Sequence, residues 1–95
     1  MPQVFFTRAA RGDLIGIWTH IAADDPAAAD RALDRLDEAA SRLARNPQTG
    51  PVRDDIRPGL RHLVSVSYLL LYRIADDDIE IVCAVYGRRD LYGLF

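Results

Sequence analysis

Hydrophobic positions follow a helical spacing in the first half of the chain and a strand-like alternation in the second. The short apolar run at 3–6 predicts a strand. Over 8–22, and again from Pro26 to about Arg45, apolar residues recur every three or four positions, which is the spacing of amphipathic helices. From residue 60 onward apolar and polar residues alternate as they do in a sheet. Strands are therefore expected at 60–66, 67–74 and 79–86.

Local signals mark the ends of the two predicted helices. Thr7 can cap the first helix, because its hydroxyl accepts a hydrogen bond from the first turn. An acidic residue before Pro26 starts the second helix, since proline at the first helical position sacrifices no hydrogen bond. Pro47 ends that helix by restricting the backbone of the residue before it. The two helices are expected to form a hairpin, followed by a loop over 46–59 that holds three prolines and two glycines.

The last predicted strand indicates which side of the sheet faces the helices. Alternation places one apolar set on the same face of this strand: Ile79, Ile81, Cys83 and Val85. We expect this face to pack on the helices. Three consecutive acidic residues, at 76–78, predict a tight turn before the strand. The tail after Tyr86 is expected to be either a frayed end or one helical turn.

These elements predict a single α+β domain over residues 1–95, because a chain of this length has apolar surface for one small core. The expected architecture is an N-terminal strand, a helical hairpin and then a three-stranded antiparallel meander, with the hairpin packed on one face of the sheet. A domain this small buries a limited share of its surface and often gains stability from a partner. We therefore expect a partner protein.

Charge and cysteine content narrow the functional classes. The 12 Lys+Arg positions are all arginine and are interleaved with 14 Asp+Glu, so the net charge of −2 disfavours non-specific nucleic-acid binding. The single cysteine, Cys83, excludes an intramolecular disulfide and fits a reducing cytoplasm. The N-terminus lacks the features of a signal peptide, and no apolar run reaches the roughly 20 residues that span a bilayer. We expect a soluble, cytoplasmic protein.

Residues capable of metal or nucleophilic chemistry are scattered along the sequence. His20, His62 and Cys83 stand far apart and outside metal-binding spacings, so no metal site is predicted. Alternation puts His62 on the opposite face from Ser65, which disfavours a catalytic triad. The glycines occur singly, so no phosphate-binding loop is predicted. We expect no cofactor and no catalytic residue, and we interpret the acidic turn as solvated.

Two groups of side chains are candidates for binding. After the last strand, Arg88 and Arg89 present two guanidinium groups that can hold a phosphate or carboxylate, or that can pair with the following aspartate and fix the tail. Trp18 and the pair Tyr68 and Tyr72 are either core residues or the lining of a groove for a partner. For Trp18 the helical periodicity favours the core.

Four short segments combine into a pattern by their order and spacing. They are Ala10-x-x-Asp13-Leu14-x-x-Ile17-Trp18-x-x-Ile21-Ala22, Asn46-Pro47-x-x-Gly50, Arg57-Pro58-Gly59-Leu60-Arg61, and Tyr72-Arg73-Ile74 followed by Gly87-Arg88-Arg89-Asp90. Each segment is weak alone, but together they are fairly specific. The chain resembles the ParE branch of the RelE/ParE toxin superfamily over nearly its whole length, from Phe5 to Phe95.

The resemblance implies a toxin of a bacterial type II toxin–antitoxin system that acts by binding and is not an enzyme. Such toxins are implied to trap DNA gyrase on broken DNA. We expect the toxin itself to bind neither nucleic acid in a sequence-specific way nor a membrane. A ParD-like ribbon–helix–helix antitoxin is implied to wrap around the groove between hairpin and sheet in a hetero-oligomeric complex. The residues expected to contact it are Arg11, Trp18, Arg57, Arg61 and Tyr68. Those expected to inhibit the target are Arg88, Arg89, Leu91, Tyr92 and Phe95.

The mRNA-cleaving branch of the superfamily provides the alternative. Those nucleases need basic groups at the scissile phosphate and groups that move protons. Arg61 and Arg89 match them, but Leu63 and Leu69 stand where further basic residues are expected, and Phe95 replaces a C-terminal tyrosine. Phenylalanine transfers no proton, and arginine is a poor base. Ribosome-dependent RNA cleavage is therefore the second hypothesis, and a non-toxic antitoxin-binding module is the third.

Overall fold

The computed structural model describes residues 2–65, 67–87 and 90–94, and it inserts a helical hairpin between the first two strands of a sheet. The elements in chain order are β1 (Val4–Phe6), α1 (Arg8–Ala22), α2 (Pro26–Leu43), β2 (Arg61–Ser65), β3 (Tyr68–Ala75), β4 (Asp78–Tyr86) and a short 3-10 helix (Tyr92–Leu94). The predicted helix and strand boundaries agree with these within two residues. The predicted α+β architecture is thus confirmed.

The strands lie in the order β1-β4-β3-β2. Strands β2, β3 and β4 form the predicted antiparallel meander, whereas β1 runs parallel to β4. This parallel pairing ends with Phe6 opposite Ile81, and the Thr7 N–H then donates to the Ile81 carbonyl at 3.0 Å. Strand β4 continues to Tyr86, beyond the end of β1. The edge of β4 that β1 leaves uncovered there faces α1 instead of a strand.

Local chemistry sets the helix and turn positions as predicted. The Thr7 hydroxyl accepts a hydrogen bond from the Ala10 N–H at 3.1 Å. The Asp25 carboxylate accepts from two N–H groups in the first turn of α2. Between β3 and β4, Asp76 and Asp77 have φ angles of 52° and 68°. Two left-handed residues in succession suit the two-residue hairpin turn that matches the twist of the flanking strands.

A β-bulge interrupts β4. Leu71 of β3 pairs with Cys83, but the next residue, Tyr72, pairs with Ile81. Val82 is therefore an extra residue on β4. An extra residue inverts the alternation of side chains beyond it and leaves backbone groups without a ladder partner.

Helix α1 supplies the hydrogen bonds that the bulge needs. The Thr7 hydroxyl donates to the Val82 carbonyl at 2.7 Å. One turn and a half further along α1, the Asp13 carboxylate accepts from the Ala84 N–H at 3.0 Å. The partly buried Asp13 side chain is thus part of the fold, because without it a backbone donor beside the core would lose its partner.

The bulge overturns part of the predicted sheet face. Ile79 and Ile81 lie beneath the helices as predicted. Cys83 and Val85 instead pack on the opposite face, so the prediction for these two residues was wrong. The prediction assumed an unbroken alternation along the strand, and one inserted residue reverses every side chain that follows.

The two sides of the sheet, which we call the helix face and the loop face, each carry a core. The helix-face core consists of Ala10, Ile17, Leu36, Ala39, Ala40, Leu43, Leu70, Tyr72, Ile79, Ile81 and Ala84. The smaller loop-face core consists of Leu60, Leu69, Leu71 and Val85, with Ile56, Val82, Cys83 and Leu91 partly buried against it. The segment before β2 and the tail therefore cover part of the face that the prediction left without a layer.

Trp18 is not a core residue, so the prediction that it is buried was wrong. Its side chain is 40% exposed, and its indole N–H donates to Asp30 of α2 at 2.9 Å. Successive helix residues point about 100° apart, so Trp18 cannot share the direction of its buried neighbour Ile17. The apolar stripe that the sequence predicts for α1 is therefore wider than the part of the helix surface that the sheet covers.

Candidate functional site

An open groove of about 730 Å³ lies between α1 and the ends of β3 and β4 that meet it, and we call it the α1 groove. Gly12, Gly16 and His20 line it from α1 at intervals of four residues. Tyr68 and Tyr86 line it from the sheet, with ring centroids 5.9 Å apart and ring planes tilted by 59°. Half of the Tyr86 surface is exposed. The groove thus offers two aromatic rings opposite a helix surface that carries two glycines.

The glycines of the groove are not required by contacts within the chain. Among the described residues, a Cβ added at Gly12 or Gly16 would meet no atom within 4 Å outside its chain neighbours and the nearby backbone of α1 itself. Glycine inside a helix costs about 1 kcal/mol relative to alanine, so both positions weaken α1 without relieving a clash. Without side chains at these two positions, the backbone of α1 is uncovered on the side that faces the groove. Another helix can therefore approach it closely.

Three residues predicted to contact an antitoxin lie on different sides of the hairpin. Tyr68 lines the α1 groove, as the prediction requires. Arg11 lines a separate cavity of about 370 Å³ formed by both helices and β1. Trp18 lies on the exposed side of the hairpin, bound to Asp30. The hairpin therefore does not bring these three side chains into one groove.

The other two predicted contacts lie away from the hairpin groove. Arg57 lines a cavity on the loop face together with Arg73 and Glu80, which form an ion pair at 3.3 Å. Arg61 donates to the Gly50 carbonyl at 2.8 Å and so fastens the segment before β2 to this edge strand. Arg61 thus has a structural role that its sequence context did not indicate.

The tail returns to the loop face and forms the helical turn that was one of two expectations. Leu91 packs against the loop-face core. The Tyr92 hydroxyl donates to the Asp55 carboxylate at 2.8 Å, while 64% of the Tyr92 surface is exposed. Of the residues predicted for target inhibition, Leu91 and Tyr92 therefore lie together here. The other three lie outside the described residues: Arg88, Arg89 and Phe95.

A polar network, which we call the tail network, joins Tyr92, Asp55, Arg53 and His62. Arg53 donates twice to the Asp55 carboxylate, at 3.0 and 2.9 Å, and its Nη1 lies 3.2 Å from Nδ1 of His62. Because arginine only donates, Nδ1 accepts this hydrogen bond and the ring proton lies on Nε2. The sequence reasoning did not single out Arg53 or Asp55. The sequence signal for an ion pair between them is their spacing of two residues within a loop, and this spacing is too common to be informative.

Hydrogen bonds, burial and charge shift the pKa values of three members of the tail network. Hydrogen bonds from Arg53 and Tyr92 hold the pKa of Asp55 well below its ordinary range. The same carboxylate raises the pKa of Arg53. The pKa of His62 is lowered, first by burial and then by the charge of Arg53. At neutral pH the network therefore contains an ionised Arg53–Asp55 pair beside an uncharged His62.

A cluster of metal ligands and a membrane-spanning helix are both absent from the described part of the chain. Residues 2–65, 67–87 and 90–94 contain no group of three His, Cys, Asp or Glu side chains placed to hold a metal ion. Within the same ranges no helix is long and apolar enough to cross a membrane. In the acidic turn, Asp78 accepts from the Gln3 N–H at 3.0 Å, so one of its three carboxylates stabilises the end of β1 and is not simply solvated.

The chain matches known toxins over almost its full length. A model of the family described as ParE toxin of the type II toxin–antitoxin system parDE matches residues 4–92. Toxin ParE3 of Caulobacter vibrioides is 32% identical over 92 residues, which cover 96% of this chain and 92% of ParE3. Toxin RelE2 of the same organism is 39% identical over 90 residues, covering 94% and 99% of the two chains.

Solved structures support the same relationship. A chain of the chromosomal ParDE toxin–antitoxin system from P. aeruginosa superimposes with a TM-score of 0.80 at 25% identity, covering 90% of this chain and 96% of that one. A chain of the toxin–antitoxin complex RelBE2 from Mycobacterium tuberculosis gives a TM-score of 0.61 at 30% identity, covering 90% and 99%.

A four-stranded sheet with a helical hairpin on one face and a short tail on the other defines the protein as a toxin of the RelE/ParE fold. Within that class the chain belongs to the ParE toxin family of type II toxin–antitoxin systems.

Proposed function

We propose that this protein arrests bacterial growth by poisoning DNA gyrase and is silenced by a ParD-like antitoxin. The observation that carries the proposal is the match to the ParE family over residues 4–92. The likeness to a chain of a ParDE system, at a TM-score of 0.80, supports the antitoxin partner. The proposed mode of action is binding, and it uses different surfaces for the two partners.

The antitoxin is proposed to seat a helix in the α1 groove. Tyr68 and Tyr86 offer aromatic surface there, and aromatic side chains are frequent anchors of protein interfaces. Gly12 and Gly16 leave room for close approach along α1. An amphipathic helix laid into an apolar groove is a recurring mode of peptide recognition. Burial of the exposed half of Tyr86 would contribute to the affinity.

A substitution at Gly16 tests whether the antitoxin helix binds in the α1 groove, and it does so without disturbing the fold of the toxin. In Gly16→Leu the new side chain enters open space, so the fold is retained, but it fills the groove. We expect antitoxin affinity to fall by a factor of about 100, because a partner helix would clash or shift. Thr19→Leu is the matched control, since Thr19 is an exposed residue of the same helix outside the groove. Equal affinities of the two variants for the antitoxin, measured by calorimetry, would exclude binding of an antitoxin helix in the α1 groove.

The target is proposed to be bound by the tail on the loop face. Leu91 anchors the tail, and Tyr92, which follows it, is 64% exposed. Expression of the toxin without antitoxin is expected to induce a DNA-damage response while transcripts stay intact. Transcript cleavage at translated codons, without DNA damage, would contradict gyrase as the target.

RNA cleavage is retained as a second candidate because RelE2 is 39% identical over 94% of this chain. The tail network adds a chemical reason. Arg53 carries a fixed positive charge, while His62 and Tyr92 hold groups that can transfer a proton. If the network cleaves RNA, His62→Gln should abolish transcript cleavage and relieve growth arrest. If gyrase is the target, His62→Gln should leave the DNA-damage response in place, because the glutamine amide oxygen can still accept the hydrogen bond from Arg53.

A further inference from the structure

In the described part of the tail, two contacts of different kinds attach it to the loop face. Leu91 provides an apolar contact with the loop-face core. Tyr92 provides a polar contact, from its side-chain hydroxyl to the Asp55 carboxylate at 2.8 Å. Because 64% of the Tyr92 surface stays exposed, its ring is held in place mainly through its hydroxyl end. The orientation of the ring therefore depends on where the Asp55 carboxylate stands.

Asp55 is itself held in one orientation. Arg53 donates to both of its carboxylate oxygens, which fixes the plane of the carboxylate. Arg53 is in turn held by His62 of β2 at 3.2 Å and by its N–H bond to the Leu60 carbonyl. The Arg53 side chain is 23% exposed, so it is anchored in the loop more firmly than a surface arginine. A chain of contacts thus runs from the sheet to the exposed ring.

We propose that Asp55 is a positioning residue for target binding: it holds the ring of Tyr92 outward on the loop face, in the orientation that the target recognises. This inference rests on the proposed function of the tail, and it assigns to the 53–55 segment a role in toxicity without contact to the target. The partner class is a protein surface with a pocket for an aromatic ring, since Tyr92 is an aromatic residue that is 64% exposed.

Tyr92→Phe is the sharpest test, because it removes the hydroxyl and leaves the ring available to the target. We expect the backbone order parameter of Gly93, measured by 15N relaxation on the free full-length toxin, to fall from about 0.8 to below about 0.6. Growth arrest on induction is expected to need about ten times more toxin. Asp55→Asn should have the same two effects, since it loses the ion pair that orients the carboxylate.

Thr19→Val is the matched control, because it also removes an exposed side-chain hydroxyl and Thr19 lies outside both the tail network and the α1 groove. It should change neither the Gly93 order parameter nor growth arrest. Thermal unfolding of Tyr92→Phe should stay within about 2 °C of the wild type, so that lost toxicity cannot be assigned to lost fold.

Two results would overturn the inference. One is an unchanged Gly93 order parameter in both Tyr92→Phe and Asp55→Asn, which would mean that the contact does not hold the tail. The other is a mobile tail with full growth arrest, which would mean that orientation of the ring does not matter. Failure of the wild-type toxin to arrest growth would contradict the proposed function, and the order parameter would still decide whether Asp55 holds the tail.

Discussion

The two faces of the sheet are built from different kinds of contact. On the helix face, two amphipathic helices cover a continuous aliphatic core around fully buried residues such as Leu36 and Leu70. On the loop face, the core is smaller, and polar contacts among Arg53, Asp55 and Tyr92 complete the layer. Apolar burial therefore stabilises the helix face, whereas the loop face also depends on the exact placement of charges.

The difference between the two faces separates the residues that stabilise the fold from the residues that are proposed to bind the target. The helix-face core can be altered only at a large cost in folding free energy, because its side chains are close-packed. The tail of the loop face contributes little buried area, so it can change or move without unfolding the domain. Leu91 and Tyr92, the proposed target-binding residues that the structure describes, lie on the face with the smaller core, which suits a segment that must adapt to a partner.

The largest expected effect comes from the helix-face core. Leu36→Ala removes a side chain that is 1% exposed and should lower the free energy of unfolding by about 2–5 kcal/mol. Leu91→Ala, on the loop face, should cost about 1 kcal/mol or less because Leu91 is only partly buried. Urea unfolding of both variants measures the difference. Equal losses would mean that the two faces contribute alike.

Tyr72→Phe tests the polar contact buried within the helix-face core. The Tyr72 hydroxyl donates to the Pro47 carbonyl at 2.8 Å and accepts from the Gly50 N–H at 2.9 Å, and Tyr72 is fully buried. Its removal should cost about 1–3 kcal/mol, since both backbone groups lose their partner. Tyr86→Phe, at an exposed position, should change the unfolding free energy by less than about 0.5 kcal/mol.

Thr7→Ala tests whether α1 supports the bulge of β4. The Thr7 hydroxyl caps α1 and also donates to the Val82 carbonyl at 2.7 Å. Its loss should cost about 1–2 kcal/mol, whereas Thr7→Ser keeps the hydroxyl and should be close to the wild type. Thermal unfolding of the pair measures this. A serine variant as unstable as the alanine variant would point to the methyl group instead.

The smallest expected effect is a pH dependence that arises on the loop face. The folded chain lowers the pKa of His62 below its ordinary value of about 6.5. Below that pH the unfolded chain binds a proton first, so stability should decline as the pH falls from 7 toward 5. The lowered pKa of Asp55 adds a further loss below about pH 4.

His62→Gln isolates the upper part of this pH dependence. The substitution should flatten the decline between pH 7 and 5, because its side chain does not titrate, while the loss below about pH 4 persists. Denaturant unfolding at several pH values measures both parts. A decline in the variant as steep as in the wild type would show that another group causes it.

Hydrophobic periodicity predicted the elements of this fold but not their detail. The helix caps at Thr7 and Asp25 and the turn at 76–78 could be predicted because they depend on neighbouring residues. The bulge at Val82 could not, since it is stabilised by Thr7 and Asp13 from a distant helix. The parallel pairing of β1 with β4 likewise depends on contacts that are remote in sequence.

The candidate sites were predictable to a smaller extent. Tyr68, predicted to contact the antitoxin, lines the α1 groove, and Tyr92, predicted to inhibit the target, is exposed, but their roles stay predictions. The tail network was missed because it brings together residues from a loop, an edge strand and the tail, whose meeting depends on the folded sheet. Arg61 was selected for its charge, although its guanidinium group holds a backbone carbonyl.

The most direct test of the proposed function is a DNA cleavage assay with purified gyrase and the wild-type toxin, with and without its antitoxin. We expect cleaved DNA to accumulate with the toxin and to disappear when antitoxin is added, because this outcome follows from the proposed function. For the groove variant Gly16→Leu we expect the same cleavage but resistance to the antitoxin, because its groove is filled while its tail is intact. Absence of cleaved DNA at a large molar excess of folded toxin would contradict the account.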